Sequence, residues 1–224
     1  MAKVRDRERS SATVSLVPET IHLCCHPLAA HLLTTLRDRE TEPERFRAAA
    51  RTLTTLLILQ ATEELRLVDV PIETPVEATT GQRLGEGLAA VPILRAGLAM
   101  LEPVLGLFPD VHVGYIGLER NEENAQARSY YQKLPDLQGR TTLLLDPMLA
   151  TGGSAAQAVG FLKAHGAGRI VMVAVVAARP GYDALHAAHP EVPVYAAALD
   201  EELNDKKYIV PGLGDFGDRL FGTF

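Results

Sequence analysis

The chain has 224 residues, 47% hydrophobic and 22% charged, an ordinary balance for a globular protein able to bury a sizeable core. Lys plus Arg number 22 and Asp plus Glu 28, a formal charge of −6, which argues against general nucleic-acid binding. No apolar run of about 18 residues exists, so no membrane span is expected. The opening MAKVRDRERSSATVS lacks the apolar centre of a secretion signal, and the only cysteines are the neighbours Cys24 and Cys25. A cytoplasmic protein with reduced thiols is the expectation.

Residues 1–18 read as a loose, disordered tail, and 19–224 as one domain. PLAAHLLTTLRDRE, Pro27 to Glu40, has helical spacing with Leu28, Leu32, Leu33 and Leu36 on one side. Pro43 is placed to open a second helix, running from Glu44 to Leu67. The pair predicts a helical arm over 19–70 that packs or joins subunits and stays away from any catalytic centre. Residues 71–88 read as short strands and turns. Beyond them, apolar strands alternate with helices. LAAVPIL, VHVGYIGL, RTTLLLD, RIVMVAVVAA and VPVYAAALD are the strands; LAMLEPVLGLF, SAAQAVGFLKAHGAG and GYDALHAAHP are the helices. That rhythm predicts a mostly parallel sheet covered on both faces, with ligands beyond the carboxyl ends of its strands.

One such end carries chemistry. In TTLLLDPMLATGGS the strand stops at Asp146, because Pro147 has no N–H for a sheet ladder. The turn that follows has glycines, which let a backbone wrap closely around a ligand and aim N–H donors inward. A helix starting near Ser154 adds its positive dipole end, and Thr151 and Ser154 add hydroxyls. This is a cradle for a phosphate monoester, although TGGS alone also suits a plain strand-to-helix turn. The acid shifts the balance. A carboxylate close to a phosphate is unfavourable unless it meets hydroxyls or a metal on the same ligand, and a sugar phosphate offers both. No lysine follows the glycines, so this is not a nucleoside-triphosphatase loop. GLGDFG, Gly212 to Gly217, has dinucleotide-loop spacing but sits near the end of the sequence with no strand–helix–strand unit after it.

LLLDPMLATGGS resembles the phosphoribosyl-pyrophosphate (PRPP) loop of type I phosphoribosyltransferases. Asp146-Pro147, in place of the usual two acids, resembles the uracil phosphoribosyltransferase family. VPILRAGLAM (91–100) is similar to that family's pyrophosphate loop, and RNEE with YYQKLP (120–135) to its flexible-loop region. YIVPGLGDFGDRLFGT (208–223) is similar to its uracil-binding segment, and HPLAAHLLTTLRDRET (26–41) to its N-terminal arm. The resemblance covers about residues 22–224.

It implies an α/β fold with a type I phosphoribosyltransferase-like parallel sheet flanked by helices, an N-terminal helical arm and a small base-binding hood over 201–224. It implies transfer of the 5-phosphoribosyl group from PRPP to uracil, with Mg²⁺ held mainly by PRPP and water. Catalytic roles fall to Asp146, Arg95 and Asp215. PRPP contacts fall to Arg95, Arg120, Asp146, Pro147, Met148, Leu149, Ala150, Thr151, Gly152, Gly153, Ser154 and Asp215. Uracil contacts fall to Ile209, Gly214, Asp215 and Phe216. A GTP effector and a homodimer or larger homo-oligomer are implied as partners. The alternative is a catalytically weak regulatory protein of the same fold that binds PRPP or nucleotide.

Several positions depart from the pattern: Glu119 before Arg120, NAQARS over 124–129, QATEEL at the end of the second helix, and Arg179-Pro180-Gly181 where Pro-Glu-Gly is common. Arg95 also suits a surface ion pair, and Arg120 a solvated cluster with Glu119, Glu122 and Glu123. Tyr130 and Tyr131 suit packing as well as ligand contact, and Asp218 with Arg219 suits an ordinary salt bridge. HLCCH, His22 to His26, lacks the spacing and second ligand pair of a zinc site.

Overall fold

The computed structural model describes residues 21–120 and 127–223, with Arg120, Ala127 and Arg128 described by backbone alone. A short strand, β1 (Ile21–Leu23), precedes two helices, α1 (Pro27–Arg37) and α2 (Pro43–Ala61). Each helix opens on its proline, where a missing N–H costs nothing and φ is already helical. The His26 Nδ1 caps α1 by accepting from the Leu28 amide at 3.1 Å. α2 ends at Ala61 and does not run on to Leu67, which instead begins β2 (Leu67–Glu73). β2 and β3 (Ala78–Leu84) form a hairpin that pairs with no other strand among the described residues.

The sheet takes its strands from the alternating part of the chain. They are β4 (Gly87–Leu94), β5 (His112–Val113), β6 (Tyr115–Arg120), β7 (Ala127–Lys133), β8 (Arg140–Leu145), β9 (Met148–Leu149), β10 (Arg169–Ala178) and β11 (Val194–Asp200). The order is β1-β11-β10-β8-β4-β6-β7, with β5 beside β4 and β9 beside β10. Every pairing is parallel except β6 with β7. A 3₁₀ turn (Ala96–Met100) and α3 (Leu101–Leu107) follow β4. Helices α4 (Gly153–Ala164) and α5 (Arg179–Ala188) flank β10 in sequence. A small hairpin, β12 (Glu202–Leu203) with β13 (Ile209–Val210), and α6 (Phe216–Phe221) complete the chain.

The helices divide between the two faces. α4 and α5 bury Ala158, Leu162 and Leu185 against Ile170, Met172 and Ala174. α1, α2 and α6 cover the side of Val171 and Val173. Of the two uses expected of the 19–70 segment, packing or joining subunits, its helices α1 and α2 show packing, as a layer over the sheet. α2 buries Phe46, Ala49, Ala50, Leu53, Leu57 and Ile58, a single helical face, in the main core. A fully buried Leu or Phe contributes about 2 kcal/mol, so this stripe belongs to the stability of the whole fold.

Arg219 is corrected as well. It makes no salt bridge with Asp218 and is 9% exposed. Its guanidinium lies 4.6 Å over the Phe46 ring and donates to the carbonyls of Leu36 and Asp38 at the end of α1, and to Leu213 at 2.8 Å. The Leu36 carbonyl, in the last turn of α1, has no partner within the helix, and a buried planar donor supplies one; the Asp38 carbonyl also accepts from the Thr41 amide at 3.1 Å. Arg219→Ala is expected to destabilise the protein by about 3 kcal/mol, read as a Tm drop of about 10 °C, because the buried Leu36 and Leu213 carbonyls lose a donor. Arg219→Lys is expected to recover little of it, since one ammonium lacks the fork that spans two segments.

Candidate active site

The candidate site residues lie where the parallel strands end. β8 stops at Leu145, Asp146 follows, and β9 resumes pairing with β10 two residues later. Pro147 lies at the break between β8 and β9. Its carbonyl accepts from the amides of both Val175 and Val176, at 3.0 Å each. Across that point both strands reverse the face they present. Leu143 and Leu145 point into the α2 side, then Met148 and Ala150 do. On β10, Val171, Val173 and Val175 are followed by Val176 and Ala178. The break thus turns Met148 and Ala150 toward the side that carries α6.

Asp146 is partly buried and meets one donor, the Met148 amide at 3.4 Å. Burial with so little compensation pushes its pKa up to about 7, while the Met148 hydrogen bond pulls the other way. After it, Met148, Leu149, Ala150, Thr151, Gly152, Ser154 and Ala155 line a small cavity of about 80 Å³ with the Asp146 carboxyl. Pro147 and Gly153 were expected among its contacts but do not line it. Pro147 is buried beneath the loop, and Gly153 opens α4.

Two close approaches give the loop its shape. Gly152 has φ 80°, and a Cβ there would meet the Gly181 carbonyl oxygen at 2.5 Å. A Cβ on Gly181 would sit 2.4 Å from the Ala150 oxygen and 2.6 Å from the Leu149 oxygen. Gly181, at the start of α5, is thus the backing of the cradle. Sequence reasoning met it only as part of an atypical Arg-Pro-Gly and missed that role. A glycine just after a long buried strand was the available signal.

A second cavity, about 430 Å³, lies beside the first. The expected base-binding residues Ile209, Gly214, Asp215 and Phe216 all line it, with Met148 and Ala150 shared from the loop. Lys206, Lys207, Tyr208 and Gly217 line it too and were missed, although Lys206 to Tyr208 are contiguous with Ile209. The side-chain oxygen of Asn204 holds the hairpin tip by accepting from the Lys206 and Tyr208 amides, each at 3.0 Å. Asp215 caps α6, its Oδ1 accepting from the Asp218 amide at 2.9 Å.

Arg95 follows β4 directly, across a cis Leu94–Arg95 peptide. It is exposed, and no carboxylate pairs with it among the described residues. Gly97 brings this segment against the end of β8, since a Cβ there would lie 2.4 Å from the Leu145 oxygen. Ala96 reaches the wall of the larger cavity. Arg120 ends β6, its backbone paired with Ala127. Its side chain and Asn121, Glu122 and Glu123 lie outside the described residues, as do 124–126 of the atypical NAQARS. Tyr130 and Tyr131 on β7 are both exposed, and the Tyr130 ring packs over Gly117. In HLCCH, His22 stacks on Tyr195 with ring centroids 4.6 Å apart, and His26 caps α1. Cys24 and Cys25 are free thiols. Among the described residues no three His, Cys, Asp or Glu side chains group to hold a metal, and no helix is long and apolar enough to cross a membrane.

A mostly parallel sheet flanked by helices, whose central strand runs into a partly buried acid and a glycine-shaped loop with a second cavity alongside, is the fold of a type I phosphoribosyltransferase. The comparisons narrow the class. The family model described as uracil phosphoribosyltransferase matches residues 23–223. A uracil phosphoribosyltransferase of Roseiflexus castenholzii is 51% identical over 199 residues, covering 88% of this chain and 96% of the relative. One from Staphylococcus aureus (strain Newman) is 49% identical over 205 residues, covering 91% and 98%. Among solved structures, the AQ2163 protein of Aquifex aeolicus superposes with a TM-score of 0.86 at 38% identity, covering 90% of this chain and 97% of that one. The chain belongs to the uracil phosphoribosyltransferase family.

Proposed function

We propose that the protein transfers the 5-phosphoribosyl group from PRPP to uracil, giving UMP and pyrophosphate. The observation that carries this is the wall shared by the two cavities, Met148 and Ala150. A phosphate held by Thr151, Gly152 and Ser154 brings its ribose to Asp146, and a base in the larger cavity lies next to that ribose. In the reaction the bond from ribose C1 to the pyrophosphate oxygen breaks, and the oxygen leaves with the electron pair. C1 then bonds to uracil N1, and the N1 proton is released. Ionised Asp146 accepts from the ribose hydroxyls and stabilises positive charge developing on the ring. Arg95 and Arg120 hold the pyrophosphate, for which planar, permanently charged donors are suited.

Uracil is small, flat and neutral, so fixed backbone groups around Gly214 to Phe216 can discriminate its edge. Mg²⁺ is part of the proposal. The carboxylates of Asp146 and Asp215 are the right hard donors but too few for a protein cage. The ion would rest on PRPP oxygens and water, neutralising charge on the leaving pyrophosphate. On the same reading the chain is a cytoplasmic homodimer or larger homo-oligomer with a GTP effector. Family membership supports both, and mass in solution and rate with added GTP check them.

The test is product formation from PRPP and Mg²⁺ with uracil, beside cytosine, thymine, adenine, hypoxanthine and orotate. UMP from uracil alone is expected. No product from any base, with PRPP binding intact by calorimetry, would overturn the proposal in favour of a PRPP-binding regulator. Arg95→Ala is expected to raise the KM for PRPP by about 10- to 100-fold, as loss of a bidentate phosphate contact does, while the KM for uracil changes little. An unchanged PRPP dependence would remove Arg95 from the pyrophosphate site.

A further inference from the structure

α1 reaches the base site from behind. At its last residue, Arg37 meets Asp200, which ends β11 on the far side of the sequence. Arg37 Nη2 lies 2.7 Å from Asp200 Oδ1, and Arg37 Nη1 lies 2.8 Å from Oδ2. The same Oδ2 accepts from the Gly212 amide at 2.9 Å, and Arg37 Nη1 donates to the Gly212 carbonyl at 2.9 Å. Both backbone groups of one turn residue are thus held by one ion pair, and the Asp200 side chain is only 7% exposed. Gly212 has φ 55° and is folded so tightly over Ile209 that a Cβ would meet the Ile209 oxygen at 2.2 Å. Ile209 and Gly214, on either side of it in the chain, line the larger cavity, whereas Arg37, Asp200 and Gly212 do not.

We propose that Arg37 and Asp200 form a positioning clamp that fixes the Gly212 backbone and thereby sets affinity and selectivity for the acceptor base. This rests on the uracil reading above. The pair touches no ligand itself. It acts through the turn, whose neighbours line the base cavity. Bidentate contacts between two charged planar groups hold direction as well as distance, so the turn is held in one orientation. No residue that lines the smaller cavity takes part, so the larger effect falls on the base.

The discriminating measurement is selectivity, which a general loss of stability leaves unchanged. Asp200→Asn keeps an oxygen for the Gly212 amide but removes the charge that orients Arg37. Arg37→Lys keeps the charge but loses the fork, and it is the milder variant should the first fold poorly. Both are expected to raise the KM for uracil by about tenfold, because a displaced turn misaligns the groups that read the base. Both are expected to lower the ratio of kcat/KM for uracil over cytosine, with the KM for PRPP within about twofold of the parent.

Wild-type turnover of uracil is measured first. Its absence sinks the functional reading and the clamp together. Wild-type turnover with an unchanged uracil KM and selectivity in folded variants sinks the clamp alone. A parallel rise in the KM for PRPP also overturns it, by making the pair a general structural tie.

Discussion

Asp146→Asn should cut kcat by about 10²- to 10³-fold, the usual cost of removing a group that stabilises transition-state charge, while leaving a protein that is more stable above neutral pH. Burial raises the folded-state pKa to about 7 from the ordinary 3.8, so the native state binds this proton more tightly than the unfolded chain. Ionising the group in place therefore costs stability. The cost is absent below the ordinary carboxyl range, grows as pH rises, and is fully present above about 7. Asparagine has the same shape and never ionises, so at pH 8 its Tm is expected to lie above the parent's. The parent's kcat/KM for PRPP should rise through an inflection near pH 7, which reports the free enzyme's acid. That inflection should vanish in the variant. Near-normal turnover in Asp146→Asn would remove the carboxylate from the reaction. A pH profile flat from 6 to 8 in the parent would show that the group is already ionised there.

Gly181→Ala should be nearly as damaging from a residue that contacts no ligand. Its Cβ would need the space of the Ala150 and Leu149 carbonyl oxygens, 2.4 and 2.6 Å away, and backbone cannot swing aside as a flexible side chain does. The loop must move, and a displacement on the order of 1 Å costs about 100-fold at a positioned site. The loss is expected in kcat/KM for PRPP, with a lower Tm. Gly153→Ala is the control, since its Cβ would meet only Thr151 Oγ1 at 4.0 Å. That variant should keep its Tm, and any effect on PRPP would report direct crowding of the ligand. Equal Tm values for the two variants would argue against α5 as the backing of the cradle.

What sequence carried of this site and what it did not divide along a physical line. Asp146, Pro147 and the small residues after them are a local pattern. A proline directly after an apolar run favours a break in the ladder, and small residues and glycines before a helix suit an anion turn. The alternating apolar runs likewise announce a covered parallel sheet. Arg219 gave no such signal, and Gly181 gave only its place just after a long buried strand. Two of the three carbonyl partners of Arg219, Leu36 and Asp38, lie at the other end of the chain, so beside Asp218 it reads as half of a surface pair. Arg37 and Asp200 stand 163 residues apart, and no periodicity links them. α2 reads as an arm because its polar edge is visible in sequence and the sheet it covers is not. Lys206 to Tyr208 enter the cavity wall only through the way their hairpin folds beside α6.

The interruption at Pro147 has one more consequence, in how the loop tolerates change of length. β8 and β9 share a single offset against β10, Leu145 opposite Val173 and Met148 opposite Val176, so the break leaves no slack between them. β10 serves as a ruler laid beside the catalytic loop, with the Pro147 carbonyl pinned at one mark by two amides. A substitution at 146 or 147 leaves the count intact. A single deletion there would bring Leu149 round to the place of Met148 and turn the wall between the two substrates inside out. The loop's chemistry is thus open to exchange one residue at a time, whereas its length is set by a strand that never touches the substrates.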